Sequence, residues 1–312
     1  MTPETKDQKP KTIPLVSILI VAYNPGEYLR NTLRSCIEQT YENMEILILD
    51  NNSSEDVLSI LIDPIIWDAY VEPIGNSGNI FIHYMDRPTG VILFRSPTNL
   101  GPYRWLNLLL EKAQWDYIAI QDHDDIWHPR KLEKQIKFLE KNNEYIGCGT
   151  QTIMYYEADK KYFEYFLREK NYYTIHPSLI FRNIGEFLYD TSTEYMSDAW
   201  SQKNNLCHGE KKIYNLDESL TLHLIKSTST NYSYRWHILS WGNIQRVYTL
   251  HPFPYATLTI GWELMRKILY PVLNFLKLDN FIGRIERIPF RIMGDKIQEK
   301  MDGEWWEEYL WN

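Results

Sequence analysis

The sequence predicts an α/β protein, a doubly wound and mostly parallel twisted sheet with flanking helices, followed by a helical C-terminal extension. Three observations predict it. Val16–Ala22 and Glu45–Leu49 are continuous apolar, β-branched runs, as expected of strands buried on both faces of a parallel sheet. Between them Leu29, Leu33, Cys36 and Ile37 recur at helical spacing. Further on, the stretch Trp115–Pro129, WDYIAIQDHDDIWHP, is an apolar run of strand length that stops at three carboxylates, Asp122, Asp124 and Asp125. The alternation of strand and helix through this region is the pattern of a doubly wound sheet.

Taken in order, residues 1–12 are polar and rich in Lys and Pro, a disordered lead. The run from Ile13 to Tyr23 follows Lys9 and Lys11 but lacks a small-x-small cleavage pattern, so it is read as the first strand and not as a signal peptide. Tyr23, Asn24, Pro25 and Gly26 make the turn after it, and the first helix runs to about Thr40. The second strand ends at Asp50, and Asn51–Asp56 follow as turn and cap, with Glu55 and Asp56 suited to the positive end of a helix that stops at Pro64. From there to about Arg87 the chain reads as irregular, with strands at Ile80–Tyr84 and Val91–Phe94. Asn99-Leu100-Gly101-Pro102 leads into a helix from Tyr103 to about Gln114, which places Arg104 and Asn107 near its start. After the acids, Pro129 suits a helical first turn, and Leu132, Ile136 and Leu139 give that helix an apolar face.

Composition limits the function. A formal charge of −8 over 312 residues argues against non-specific nucleic-acid binding. Three cysteines without a C-x-x-C argue against a disulfide framework or a cysteine zinc site and favour a reducing compartment. No stretch reaches the roughly 18 apolar residues of a spanning helix. The expectation is a cytoplasmic protein, soluble or peripheral on the inner face of the cytoplasmic membrane.

The acids sit where a buried strand meets a helix, the edge at which open α/β sheets bind ligands. Asp122 and Asp124 flank His123 and can offer oxygens to one cation, and hard oxygen donors suit Mg²⁺ or Mn²⁺ completed by phosphate oxygens. The alternative for an isolated D-x-D is a solvated acidic turn capping the next helix.

VSILIVAYN, LDNNSSED, NLGPYRWLN and QDHDDIWHPRKLEKQ, with a weaker HPSLIFR at 176–182, resemble in their order a family 2 glycosyltransferase of the GT-A fold. The resemblance covers roughly residues 14–235. It implies a glycosyltransferase domain over 13–235, with a nucleotide-sugar half at 13–125, an acceptor half at 126–235, and a helical amphipathic extension at 236–312. It implies an inverting, metal-dependent transfer of a hexosyl or deoxyhexosyl group from a nucleoside-diphosphate sugar to a hydroxyl of a polysaccharide, glycolipid or glycoprotein glycan. DHDDIW resembles members that use deoxysugar donors.

Carried over by residue, the resemblance puts Ala22, Tyr23 and Asn24 near the nucleotide and Asp50 on its base, with Asn52 and Arg104 close by. Asp122 and His123 face the nucleotide, and Asp124 with Asp122 takes Mn²⁺ or Mg²⁺. The loop after Asp50 departs from the family's usual D-D-G-S, and Asp50 as a plain helix cap is the other reading. Glu194-Tyr195-Met196-Ser197-Asp198-Ala199-Trp200 resembles the catalytic-base segment, with Asp198 as base, Ser197 replacing the usual first acid, and Glu194 or Asp190 as alternatives. His176, Trp200 and Lys226 are acceptor-side candidates, Lys226 standing near an expected His. For His176, ligand contact and packing both remain open, and His223 reads as a hydrogen-bonded histidine more than a ligand. Residues 63–88 and 201–212 are candidates for a closing lid.

The tail carries an apolar stripe from Leu258 to Leu276, and residues 258–296 hold seven basic against four acidic side chains, a net +3 in an acidic chain. Such a segment fits an anionic membrane, and equally helices packed on the domain or on a second subunit as a homo-oligomer. Trp305, Trp306, Tyr309 and Trp311 beside Glu304, Glu307 and Glu308 read as a docking terminal helix. The competing function is a catalytically silent nucleotide-sugar-binding or scaffold protein, motivated by Ser197 and Lys226. A nucleotidyltransferase lacks the glycine-rich basic loop that would hold a triphosphate.

Overall fold

The computed structural model describes residues 13–64, 68–75, 77–85, 89–113, 116–157, 160–165, 167, 172–192, 196–208, 210–226, 241–250, single positions between 256 and 276, 297–298 and 305–310. Trp115, Glu194, the 1–12 lead and all seven basic residues of the 258–296 segment lie outside the described residues, so the structure does not speak to those expectations.

At the centre are β1 (Val16–Ala22), β2 (Met44–Asp50), β5 (Val91–Arg95) and β6 (Tyr117–Asp122), all parallel to their neighbours in the order β5-β2-β1-β6. Each is a run of branched apolar side chains because both faces are covered. On one face Ile18, Ile20 and Ala22 pack with Leu29, Leu33 and Cys36 of α1 (Tyr28–Ile37), with α2 (Val57–Leu61), and with Leu132, Ile136 and Leu139 of α4 (Lys131–Leu139). On the other, Leu19, Leu47 and Ile120 pack with Leu106 and Leu109 of α3 (Pro102–Lys112).

The parallel character is confined to this centre. On one side β3 (Ala69–Ile74) and β4 (Asn79–Tyr84) continue the sheet antiparallel from β5. On the other, β10 (Ile180–Arg182) runs antiparallel between β6 and β8 (Tyr145–Tyr156), with β9 (Lys161–Tyr165) beyond. β11 (Lys212–Ile225) lies parallel to β8 and pairs antiparallel with the two-residue β7 (Ile126–Trp127). Part of the stretch read as irregular is therefore a hairpin, β3–β4, on the sheet edge. Among the described residues no helix is long and apolar enough to cross a membrane.

Of the terminal aromatics Trp305, Trp306 and Tyr309 pack as their pattern predicts, while Trp311 lies outside the described residues. Trp306 (1% exposed) and Tyr309 close an apolar cluster with Ile126, Ile153, Tyr155, Leu222 and Leu224, and the Tyr309 hydroxyl donates to Glu38 of α1 at 2.8 Å. Ile126 adjoins Asp125, and Leu222 and Leu224 flank His223, so the chain's end braces the strands that carry these groups. Trp306→Ala is expected to cost about 3–5 kcal/mol, the range for deleting a buried tryptophan. Urea unfolding checks it, and a loss under 1 kcal/mol would show the docking to be energetically empty.

Candidate functional site

The site forms at the carboxyl ends of β1, β2 and β6. Ala22 is in register with Asp50 and Val21 with Asp122, so Asp50 and Asp122 flank the end of β1, two strand spacings or roughly 10 Å apart. From β1 the chain first builds outward through β2 and β5, then returns to add β6 on the opposite side, and that reversal opens a crevice at the strand ends.

The loops lining it are stitched to one another. Asn24 takes φ +43° and Asn52 φ +62°, left-handed conformations that asparagine tolerates better than most residues. Asn24 N donates to Ser53 Oγ at 3.0 Å, its Oδ1 accepts from Ser54 N at 2.8 Å, and Gly26 N donates to Glu55 at 2.8 Å. Asp50 Oδ1 accepts from Ser53 N at 2.9 Å, so this acid shapes its own loop, while Asp56 caps α2 through Leu58 N. Asn51 bridges to Asn99 and Leu100 ahead of α3. Tyr23 stands 47% exposed at the rim.

After β6, each of three acids has a cationic or imidazole partner. Asp122 Oδ1 is 3.3 Å from His176 Nδ1, and His176 Nε2 is 2.9 Å from the Tyr189 hydroxyl. Asp124 Oδ2 is 2.7 Å from Lys226 Nζ. The fully buried Asp125 accepts from His223 Nδ1 and from Leu224 N, both at 2.8 Å. The backbone is held as firmly, since Asp125 O accepts from Thr32 Oγ1 and Gln121 Nε2, both at 2.9 Å. His123 Nδ1 lies 3.3 Å from Val21 O, turning that ring to the end of β1.

The electrostatics follow from enclosure set against these pairings. Burial opposes ionisation of Asp122, but the neighbouring His176, His223 and His123 outweigh it and hold its pKa below the ordinary carboxylate value. Burial likewise disfavours the His176 and His223 cations, yet the facing Asp122 and Asp125 raise both, His223 to about 9. Where the sequence reading puts Asp122 and Asp124 on one cation, the structure groups Asp122 with Asp125 and His223, whose candidate ligand atoms lie within 4.8 Å of one another. Asp124 is near enough to raise the Asp125 and His223 pKa values, and its carboxylate also pairs with Lys226. His223 is hydrogen-bonded as read, but its partner is the acid beside the D-x-D. The available signal was a histidine in a strand of alternating buried leucines, 98 residues from Asp125.

Asp198 comes from a later segment of the chain. It opens α5 (Ser197–Ser201) after Met196, which takes φ +51°. Burial first, and then the charge of Asp198, pushes the Tyr103, Tyr173 and Tyr189 hydroxyls well above the usual phenol value, and Asp198 also helps hold the proton on His176. Tyr103, Tyr189 and His176 therefore feel the charges of Asp198 and Asp122 together. Asp190 is occupied elsewhere, paired with Arg246 and accepting from Ser192 N at 2.8 Å, and Ser197 donates to its carbonyl. Trp200 lies under the Arg246 guanidinium, 5.1 Å from its ring centroid. Arg104 is exposed on the first turn of α3, and His176 has a contact, to Asp122, as well as packing.

Residues 17–66 and 75–196 match the profile described as Glycosyl transferase family 2. An uncharacterised glycosyltransferase of Haemophilus influenzae is 36% identical over 131 residues, covering 42% of this chain and 44% of that protein. The glycosyltransferase RT0329 of Rickettsia typhi is 26% identical over 205 residues, covering 59% and 56%. The chain thus spans about half the length of these relatives. Among solved structures, Staphylococcus aureus TarS 1-349 in complex with UDP-GlcNAc superposes with TM-score 0.55 at 14% identity, covering 90% of this chain and 83% of that one. The mannosyltransferase PcManGT of Pyrobaculum calidifontis, in complex with GDP-Man and Mn²⁺, gives 0.53 at 13% identity, covering 92% and 86%. At these identities the likeness is one of fold.

Proposed function

The chain belongs to glycosyl transferase family 2, and on that premise we propose that it is an inverting, divalent-cation-dependent transferase. It moves a hexosyl or deoxyhexosyl group from a nucleoside-diphosphate sugar to a hydroxyl acceptor in polysaccharide, glycolipid or glycoprotein glycan synthesis. What supports the reading is that Asp50 and Asp122 end the strands on either side of β1 while Asp122 and Asp198 act on the same buried tyrosines, three acids from separate parts of the chain.

In this reading residues 13–125 bind the donor, 126–235 the acceptor, and 236–312 form an extension whose basic 258–296 stretch meets an anionic membrane on its cytoplasmic face. Asp50 accepts from the base, with Asn52 and Arg104 nearby. Ala22, Tyr23, Asn24 and His123 border the nucleotide. Hard carboxylate oxygens suit Mn²⁺ or Mg²⁺, so Asp122 and Asp124 of the D-x-D would hold the ion, with His223 and Asp125, whose candidate ligand atoms lie within 4.8 Å of that of Asp122, able to join only once the His223 proton is lost. When bound, the ion supplies positive charge to the departing diphosphate. Asp198 takes the proton of the acceptor hydroxyl as that oxygen attacks the anomeric carbon opposite the diphosphate, and a single displacement inverts the configuration. Trp200 and His176 border the acceptor, and the surrounding Tyr103, Tyr173 and Tyr189 restrict water that would otherwise hydrolyse the donor.

A thermal-shift screen of UDP-, GDP- and dTDP-sugars with and without Mn²⁺ tests this. A ligand at a hundredfold excess over its Kd adds about 2.7 kcal/mol to the native state, so a true donor stands out from the panel. Transfer to a hydroxyl acceptor should follow with that donor. Binding without turnover against a broad acceptor set would favour a silent sugar-nucleotide-binding protein, and no response from any donor would end the reading.

A further inference from the structure

Gln202 is fully buried one helical turn after Asp198, and its side-chain amide pairs with both backbone groups of one residue. Its Oε1 accepts from Thr174 N at 2.9 Å, and its Nε2 donates to Thr174 O at 3.1 Å. Thr174 is fully buried and belongs to none of the described strands, so a side chain and not a ladder satisfies these groups. It stands two residues before the turn His176–Ser178, which is itself fixed. Ser178 Oγ lies 2.6 Å from Thr174 Oγ1, Ser178 N donates to Ile175 O at 2.9 Å, and the Trp127 indole donates to Pro177 O at 2.8 Å. After Ser201 the helix widens from α5 into one π-helical turn, Gln202–Leu206, with Cys207 N donating to Gln202 O at 3.0 Å. Such turns are frequent at functional sites. Residues four apart share a helix face, so the Gln202 amide and the Asp198 carboxylate both face the 173–176 segment. The charge of Asp198 is accordingly felt at Tyr173 and His176.

We propose that Gln202 is a positioning residue: by pairing with both backbone groups of Thr174 it fixes the separation of Asp198 from His176, and so the place of the proton acceptor relative to the acceptor side of the site. The inference rests on the reading of Asp198 as the base and adds to it the residue that holds the base in place. A side chain of the same size without an amide would leave the Thr174 N–H and C=O buried and unpaired. The turn and α5 would then move until water or another group reached them. Asp198 has little room for such movement, because a general base must come within roughly 2.6–3.2 Å of the proton it takes. A misplacement of about 1 Å can cost about 10²-fold in rate. At its first turn α5 is held by Ser197 to the Asp190 carbonyl, and Ser201 Oγ accepts from Asp190 N at 2.9 Å. Those bonds tie α5 to residue 190 alone, and the distance from α5 to the His176 turn is left to Gln202.

The experiment uses the full chain with Gln202→Met, alone and combined with Asp198→Asn. Without any ligand, NMR relaxation dispersion is recorded at the backbone amides of Asp198, Ala199 and His176. These should be quiet in the wild type and show μs–ms exchange in Gln202→Met. Transfer is then measured with the nucleotide sugar that the thermal-shift screen selects, with rates taken per folded molecule. Gln202→Met is expected to lower kcat at least tenfold and to leave the donor KM within twofold of the wild type. In the Asp198→Asn background the same substitution should change kcat less than twofold, because no base remains to be misplaced. If Gln202→Met does not fold, Gln202→Asn, whose amide is one methylene too short to reach Thr174, is measured in its place with the same expectations. A kcat kept in the single variant, equal losses in the two backgrounds, or quiet Asp198 and His176 amides in the variant overturns the proposal. If the wild type transfers no sugar from any donor, the functional reading fails by itself, and the amide measurement alone decides whether Gln202 holds Asp198.

Discussion

Asp198→Asn is expected to lower sugar transfer by about 10²- to 10⁴-fold, the usual worth of a positioned general base, while leaving donor affinity unchanged. The amide keeps the size of the side chain and its place on the first turn of α5, so the helix and its neighbours should tolerate it. What disappears is the negative charge felt by Tyr103, Tyr173, Tyr189 and His176. In the proposed mechanism that carboxylate stands on the acceptor side of the sugar, from which attack must come if configuration inverts. Transfer rate at saturating donor and nucleotide affinity by calorimetry separate the two roles. A variant that keeps its rate, or one whose loss is all in donor binding, removes Asp198 from the chemistry. Asp190→Asn is the control: its carboxylate is tied to Arg246 and Ser192. Breaking charged hydrogen bonds of this kind costs about 1.5–3 kcal/mol of stability. It should leave the rate per folded molecule nearly intact.

What sequence could show of this site was what is local. β1, β2 and β6 announce themselves because strands buried on both faces need unbroken apolar runs, and their ends mark the crevice without knowledge of any contact. β3 does not announce itself: Ala69–Ile74 carries Glu72 and Pro73 and lies mostly exposed on the sheet edge, where no face demands alternation. β10 is too short to carry a pattern, at three residues, and its antiparallel insertion between β6 and β8 is what ends the parallel centre. The docking of Trp306 and Tyr309 was legible from aromatic density alone. The choice of partner for each acid was not. Asp125 finds His223 across 98 residues and Asp122 finds His176 in a later turn, pairings that depend on β11 and the 176–178 turn arriving at the same edge. Enclosure then decides which carboxylate remains for an ion.

Enclosure also has a cost away from the acids, and Lys131→Met should reveal it. Lys131 opens α4, is fully buried, and its Nζ has no hydrogen-bond partner among the described residues; it lies 3.7 Å from the Trp127 ring centroid, near the buried thiols of Cys36 and Cys148. Burial drives its pKa from the ordinary lysine value down to about 7. A helix N-terminus is also the unfavourable end for a cation. In the unfolded chain the amine stays protonated up to about 10.5, so between about pH 7 and 10.5 the unfolded state binds more protons than the folded one. The Lys131 contribution to stability then rises with pH across that window, with a slope of at most about 1.4 kcal/mol per unit, while His223, raised to about 9, contributes with the opposite sign, so the comparison with the variant isolates the lysine. The penalty is full below pH 7 and vanishes near 10.5, a total of about 5 kcal/mol. Methionine fills much the same volume without an amine to desolvate. The variant should therefore be more stable than the wild type at pH 6 by a few kcal/mol, and the two should converge toward pH 10, as measured by urea unfolding at pH 6, 8 and 10. Parallel curves would mean that Lys131 keeps its charge in the fold. Trp127 joins this position to the site, since its N donates to Ser35 and its indole to the Pro177 carbonyl beside His176. A stabilised variant with unaltered donor binding would show that the wall behind the acids tolerates an apolar replacement, and that the lysine's burial is a cost the site does not need.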